Sequence, residues 1–82
     1  MSERRVYNIH IKVGGRTVAT FNECILTNNS HLRCEQTIST GVIPPPHTRV
    51  QVDFFARPNR HYYRTGTIES SRGPGGTEVF LD

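Results

Sequence analysis

The sequence predicts an all-β fold: a small six-stranded antiparallel barrel or split barrel, built as a meander of hairpins without a long helix. Short runs of β-branched and aromatic residues alternate with polar residues at a period of two, as in strands that bury one face. Clusters of glycine, asparagine and proline separate these runs. No ten-residue stretch carries the apolar stripe of an amphipathic helix. The 82 residues allow a single domain, residues 1–82, with one modest core.

The first hairpin is predicted from apolar residues at odd positions, which form one buried face: Tyr7, Ile9, Ile11 and Val13. The two glycines at positions 14 and 15 suit the positive φ angles of a two-residue turn. Such a turn pairs Val13 with Arg16 and Ile11 with Val18. The second strand then covers residues 16–26.

The second hairpin is predicted at the asparagines of positions 28 and 29, which tolerate left-handed backbone geometry. A three-residue loop over 28–30 sets Leu26 opposite Leu32 and Cys24 opposite Cys34, whereas a two-residue loop sets Leu26 opposite His31. The buried pattern favours the first register. Opposed cysteines lie close enough for a disulfide after a small adjustment. Both states stay open, and a reducing cytosol favours two thiols packed as small apolar side chains.

The C-terminal half begins after the prolines at positions 44–46 and contains three further predicted strands, near residues 50–54, 62–70 and 77–81. A register that places Val50 opposite Ile68 also places Ile68 opposite Val79, so both hairpins bury the same face. The same register leaves Phe55, Tyr63 and Phe80 together on the outer face. The predicted core consists of Ile9, Ile11, Val18, Leu26, Leu32, Ile38, Val50, Val52, Phe54, Ile68, Val79 and Leu81.

The composition and the residue spacing exclude several classes of function. No apolar run reaches the roughly 18 residues of a membrane span, and the charged N-terminal segment does not resemble a signal peptide, so we expect a cytoplasmic protein without a membrane role. No spacing places a nucleophile beside a base, and we predict neither catalytic residues nor a cofactor. The histidines and cysteines lack the spacing of a metal site.

One segment combines positive charge with aromatic rings: residues 57–64, which contain Arg57, Arg60, His61, Tyr62, Tyr63 and Arg64. Arginine pairs with phosphate, and aromatic rings stack on bases, so this segment suits single-stranded nucleic acid or another anion. The net charge is only +3, although nine of the ten basic residues are arginine. The sequence therefore favours a solvated basic loop, with the adjoining aromatic face covered by the N-terminal segment or a second subunit, over a nucleic-acid site.

Several segments follow the pattern of a known family. Asn28 and Ser30 occupy the first and third positions of a [DN]-x-S-x-x-G motif, and residues 44–52, 66–68 and 78–82 follow its strand patterns. In these segments the chain resembles the PilZ domain, a six-stranded barrel that binds cyclic di-GMP in bacteria. The resemblance implies a dinucleotide site at Arg4, Arg5, Asn28, Ser30 and Arg33. The family also has an R-x-x-x-R motif near its start, which is incomplete in this chain. Arg33 replaces the glycine of the [DN]-x-S-x-x-G motif. The resemblance therefore implies a degenerate barrel that contacts proteins instead of binding the dinucleotide.

The function expected from the sequence is that of a non-catalytic binding or adaptor module. Its binding surface is the outer aromatic set, Phe55, Tyr62, Tyr63 and Phe80, because an apolar patch on so small a domain marks an interface. A protein partner or a second copy in a homodimer is the expected occupant. The alternative is a small single-stranded nucleic-acid-binding barrel that uses Arg57, Arg60, His61 and Arg64.

Overall fold

A computed structural model describes residues 2–34, 41–71 and 76–82 and shows a closed antiparallel β-barrel. Its six strands follow one another around the barrel in the order β1-β2-β3-β6-β5-β4, and β4 pairs with β1 to close it. The predicted fold class is therefore confirmed. None of the described residues is helical, and no helix suited to crossing a membrane is found among them. The strands are β1 (Glu3–Val13), β2 (Arg16–Thr27), β3 (His31–Cys34), β4 (Arg49–Ala56), β5 (Arg60–Ser71) and β6 (Thr77–Leu81).

The first hairpin has the predicted turn but a different register beyond it. Residues 14 and 15 have φ angles of +60° and +83°, as a two-residue turn of this kind requires. A register shift after Ile11 then sets Ile11 opposite Ala19. The predicted pairing of Ile11 with Val18 is wrong because this bulge inserts one residue. Ala19 is buried, and Val18 packs only partly against the core.

A second irregularity in β1 changes which residues face the core. Asn8 has a φ angle of +54°, and the pairing of β1 with β4 shifts by one residue just after Tyr7. Val6 and Ile9 are both fully buried as a result, whereas Tyr7 is half-buried and Val13 is 37% exposed. The prediction of an unbroken odd-numbered face is therefore wrong at both ends of the strand. A residue in the left-handed region interrupts the alternation of inward-facing and outward-facing side chains along a strand.

The loop between β2 and β3 follows the favoured prediction. Asn28 and Asn29 have φ angles of +52° and +62°, which asparagine adopts more readily than most residues. Leu26 lies opposite Leu32, and both side chains are buried. The three-residue loop is thereby confirmed, because only that register buries both leucines.

The two cysteines are joined by a disulfide, so the preference for free thiols is wrong. Cys24 and Cys34 have Cα atoms 4.4 Å apart, the spacing of directly opposed residues in an antiparallel pair. Both side chains are buried within the barrel. The register of the second hairpin buries both cysteines and also brings their sulfur atoms close enough to form a bond.

The C-terminal hairpins share one buried face, as predicted, with one correction. Ile68 lies opposite Val79, but Val50 lies opposite Gly66 and not Ile68. The turn of the β4–β5 hairpin occupies only residues 57–59, and β5 starts at Arg60, two residues earlier than the sequence suggested. A shift of two residues preserves the face of every side chain, so the core residues stay the same.

The core fills the barrel with aliphatic and aromatic side chains from all six strands. Ten of the predicted core residues are confirmed as buried: Ile9, Ile11, Leu26, Leu32, Val50, Val52, Phe54, Ile68, Val79 and Leu81. Val18 is only partly buried, and Ile38 lies outside the described residues. Cys24 and Cys34 are buried, as the sequence indicated, whereas the sequence reading missed the buried residues Val6, Ala19, Phe21 and Ala56.

Candidate binding site on the outer face of β1, β4 and β5

A buried carboxylate lies at the centre of the outer face formed by β1, β4 and β5. Asp53 on β4 is directly opposite His10 on β1 and Tyr63 on β5. Its side chain alternates with the core-facing Val52 and Phe54, and yet the residue is only 6% exposed. Neighbouring side chains from both flanking strands therefore cover it.

Three basic groups surround this carboxylate. The Nζ atom of Lys12 lies 3.1 Å from Oδ2 of Asp53, and Nε2 of His61 lies 3.4 Å from Oδ1. Nδ1 of His10 approaches the same Oδ1 at 3.8 Å. A buried charge is tolerated when it is paired in this way. Asp53 thereby holds a lysine and two histidines in fixed positions on the outside of the barrel.

A series of aromatic rings runs along the same face. The rings of Phe55 and His61, opposite each other on β4 and β5, stack with centroids 4.3 Å apart and planes 6° apart. The ring of Tyr63 lies against the other side of His61, at 4.3 Å and tilted by 55°. Phe55 is half-buried, whereas Tyr63 is 72% exposed. We call Phe55, His61 and Tyr63 the ring stack, and its exposed end is available to a planar ligand.

An open groove of about 490 Å³ adjoins Tyr63. Its lining includes two cationic residues, Lys12 and Arg64, and the polar side chains of Gln51 and Thr65. This volume lies within the range of small-ligand sites, which is roughly 300–1,000 Å³. The groove thus places the exposed ring of Tyr63 beside two cations, Lys12 and Arg64, and two carboxylates, Asp53 and Asp82. Its complete lining is Lys12, Gln51, Val52, Asp53, Tyr63, Arg64, Thr65 and Asp82.

Asp82 closes one end of the groove and is held by its neighbours. Arg49 contacts both of its carboxylate oxygens, and the hydroxyl of Thr65 donates to Oδ2 at 2.8 Å. These contacts, with Arg49 the largest cause, lower the pKa of Asp82 to about 2. Arg64 donates to the main-chain carbonyl of the same residue at 2.7 Å. The negative charge of Asp82 is therefore already compensated.

Further arginines lie beside tyrosines near the β4–β5 turn. The guanidinium of Arg57 lies 5.6 Å from the ring centroid of Tyr7, and that of Arg4 lies 5.6 Å from the ring centroid of Tyr62. The pKa of Tyr62 is lowered, chiefly by a hydrogen bond from Arg60. None of these three arginines forms an ion pair with a carboxylate within the part of the chain that the structure describes. Their charge is available to an anionic ligand.

The structure separates the four aromatic residues that the sequence assigned to one surface. Tyr62 is half-buried and stacks on the core residue Phe54, with ring centroids 5.6 Å apart. Phe80 is 49% exposed and lies opposite Thr67, four residues along β5 from Tyr63. Four residues of strand span about 13 Å. Phe55 and Tyr63 thus share the ring stack, and Phe80 lies apart from it.

The residues that the PilZ resemblance singles out are only partly brought together. An Arg4 guanidinium nitrogen donates to the side-chain oxygen of Asn29 at 3.3 Å, so Arg4 does reach the 28–30 loop. Arg5 points elsewhere and forms an ion pair with Glu23 at 2.9 Å. Arg33 lies opposite Glu78 on β6 and is exposed. Arg4 contacts the loop that holds Asn28 and Ser30, while Arg5 and Arg33 lie in one row of the sheet on either side of Ile25.

The sequence reading missed the β1 side of the site. His10 and Lys12 alternate along the first strand with the apolar residues at odd positions, but nothing in the sequence indicates that this strand pairs with β4. Once that pairing is known, alternation alone brings His10, Lys12 and Asp53 onto one face. No protein-family model, no curated protein and no solved structure matches this chain.

Proposed function

We propose that this barrel is a non-catalytic binding domain that holds single-stranded nucleic acid across the outer face of β1, β4 and β5. The observation that carries the proposal is the ring stack. Its exposed member Tyr63 lies beside a groove lined by Lys12 and Arg64. Proteins that bind single strands combine such aromatic platforms with a positively charged path for the backbone.

The distribution of charge supports this ligand. The two carboxylates of the groove are occupied, Asp53 by Lys12 and the histidines, and Asp82 by Arg49. Arg57 and Arg60 stand at the turn next to the ring stack without carboxylate partners within residues 2–34, 41–71 and 76–82. Phosphates would contact these arginines while a base stacks on Tyr63.

Fluorescence anisotropy with a labelled single-stranded oligonucleotide, at two salt concentrations, tests the proposal. Each phosphate contact on a single strand contributes about −0.7 to the slope of log K against log salt. Contacts from Arg57, Arg60 and Arg64 together give a slope near −2. Arg60→Ala should weaken binding and flatten the slope by one contact. Arg33→Ala, on the far side of the barrel, is the matched control and should change neither.

An absence of binding at low salt would overturn the nucleic-acid proposal. So would a slope that Arg60→Ala leaves unchanged, because the arginines at the turn would then make no phosphate contact. A titration with cyclic di-GMP belongs in the same series, and we expect no heat from it. The different partners of Arg4, which contacts Asn29, and Arg5, which pairs with Glu23, support that expectation.

The second candidate function is binding of a protein partner or a second copy of the chain. The observation that favours it is the exposure of Tyr63 at 72% and Phe80 at 49%. Aromatic residues dominate such interfaces, so Tyr63→Ala would then impair binding more than Arg60→Ala, with a weak dependence on salt. Light scattering checks the homodimer directly. A strict monomer would leave a different protein as the expected partner.

The cytoplasmic location stays a prediction, and the disulfide provides a test of it. Disulfides persist in oxidising compartments and are rare in a reducing cytosol. Trapping of thiols in freshly broken cells, followed by mass spectrometry, reports whether Cys24 and Cys34 are paired in the producing cell. A fully oxidised pair would contradict the cytoplasmic prediction.

A further inference from the structure

A second cluster of titratable side chains lies on the outer face of β3, β6 and β5. His31 on β3, Glu78 on β6 and Glu69 on β5 come from three neighbouring strands. One ligand atom from each of them lies within 4.8 Å of the other two. The Nε2 atom of His31 is 3.5 Å from a carboxylate oxygen of Glu69 and 3.9 Å from one of Glu78. Three potential metal-ligand atoms therefore converge on one point.

A bulge in β5 accompanies this convergence. Ile68 lies opposite Val79 and Ser70 lies opposite Glu78, so Glu69 is the additional residue between them. Bulges re-aim side chains and are enriched next to functional sites. Here the bulge leaves two carboxylates, from Glu69 and Glu78, side by side. Like charges so placed repel each other unless a cation lies between them.

The histidine of this cluster is oriented but lacks a hydrogen-bond partner. The Nε2 atom of His31 is buried, and no hydrogen bond satisfies it. The imidazole ring packs against Phe80, with centroids 4.9 Å apart, and this contact holds it in place. A buried polar atom without a partner is costly, and a ligand at this point would remove that cost. The buried nitrogen is an observation independent of the two glutamates.

We propose that His31, Glu69 and Glu78 bind a divalent transition-metal cation, with zinc as the probe. Imidazole nitrogen and carboxylate oxygen are both zinc ligands, at about 2.0–2.2 Å in tetrahedral geometry. Two such ligands on one ion lie about 3.4 Å apart by that geometry. The distance of 3.5 Å from His31 to Glu69 already fits, and that of 3.9 Å to Glu78 needs only a small movement. Glu69 is half-exposed at its side chain, which permits such adjustment.

The bound ion would link three strands on the outer face of the barrel, in addition to their main-chain pairing and their shared core. β6 lies between β3 and β5, so a single ion would fix its position from both sides. Because the ligands are brought together only in the folded barrel, metal binding would stabilise the fold. This site is separate from the ring stack, and the proposal does not depend on the nucleic-acid proposal.

Isothermal titration of tag-free, chelator-treated protein with zinc chloride tests this site. The buffer should contain no reductant, so that Cys24 and Cys34 stay paired and offer no thiolate. We expect one zinc per chain and a higher melting temperature with zinc than without it. Glu69→Gln and His31→Asn should each weaken zinc binding at least tenfold. His47→Asn, which removes an exposed loop histidine at a positive φ that asparagine tolerates, should bind as the parent does.

Titration with cobalt(II) gives a second readout, because visible absorption of the bound ion reports its ligand geometry. We expect an absorption band that Glu78→Gln abolishes and His47→Asn retains. If titration of the folded parent protein with zinc gives no heat, the proposal is overturned, and the cluster is then only an ion-pair cluster of His31 with Glu69 and Glu78. Equal loss of binding in His47→Asn would overturn it too, since adsorption to scattered histidines would then account for the heat.

Discussion

Cys24 on β2 and Cys34 on β3 are joined by a disulfide that closes a loop spanning ten residues of sequence. The loop contains the β2–β3 turn together with most of β3, the shortest of the six strands. The bond therefore ties β3 covalently to its neighbour β2. For a domain of this size, a covalent link compensates for a small core.

Reduction of the disulfide should lower the free energy of unfolding by roughly 2.5 kcal/mol, because a loop of this length then regains its freedom in the unfolded chain. Urea denaturation with and without dithiothreitol measures the change. The double variant Cys24→Ala/Cys34→Ala is the control, and its stability should not respond to the reductant. An unchanged midpoint for the reduced parent protein would contradict the prediction.

Gly66 allows β5 and β6 to approach closely. A Cβ atom added there would lie 2.3 Å from the main-chain oxygen of Phe80, which cannot move without disturbing the strand pairing. Overpacking typically costs about 1–3 kcal/mol. We expect Gly66→Ala to lower the free energy of unfolding by about 2 kcal/mol or more. Gly76→Ala is the matched control, because nothing lies within 4 Å of its added Cβ. Equal unfolding midpoints for the two variants would refute the explanation.

The contact between Arg49 and Asp82 should make stability depend on pH in the acid range. The pKa of Asp82 in the folded protein, about 2, lies below the ordinary value of 3.8. A lowered pKa contributes stability above pH 4, and this contribution disappears as the pH falls from about 4 to 2. The parent protein should therefore have a higher urea midpoint than Asp82→Asn at pH 6, and this difference should disappear as the pH falls to about 2. Glu3→Gln, which removes an exposed carboxylate, is the control. Its urea midpoint should not show the same pH-dependent difference from that of the parent protein.

The ring stack and Phe80 should differ in their effect on oligonucleotide binding. Loss of one stacked base costs about 1–3 kcal/mol, so Tyr63→Ala should weaken binding roughly 5- to 150-fold. Phe80→Ala should leave binding unchanged because its ring packs against His31 and lies away from the groove. Equal losses in both variants, measured by anisotropy, would place the ligand on a different surface.

Much of the fold follows from local pattern. Alternation predicted the strands, and glycine or asparagine marked both N-terminal turns where positive φ angles occur. The opposition of Leu26 and Leu32 followed from burial alone. The errors in β1 arose at bulges, after Ile11 and at Asn8, because a single inserted residue is not visible in a pattern with a period of two. The register error between β4 and β5 arose from a turn shorter than the sequence suggested.

The aromatic and cationic residues of the binding site were predictable only on the β4–β5 hairpin, which carries Phe55 and Tyr63. The cationic and aromatic residues of positions 57–64 are contiguous in the sequence, and the β4–β5 hairpin keeps them together. Asp53 and Lys12 are far apart in sequence and meet only because β1 pairs with β4. The His31, Glu69 and Glu78 cluster was missed for the same reason, since each ligand comes from a different strand.

The sequence by itself determined that the chain forms strands, where most of them turn, and most of the side chains that form the core. These properties depend on local backbone preferences and on the period-two exposure of each strand. Only the tertiary structure decided which strands are neighbours around the barrel, and thus which outward-facing side chains meet. The apolar pattern of the sequence does not indicate which outward-facing residues are neighbours, because these residues do not contribute to the core. Only the closed barrel therefore shows the ring stack, the covered carboxylate of Asp53 and the cluster of His31, Glu69 and Glu78.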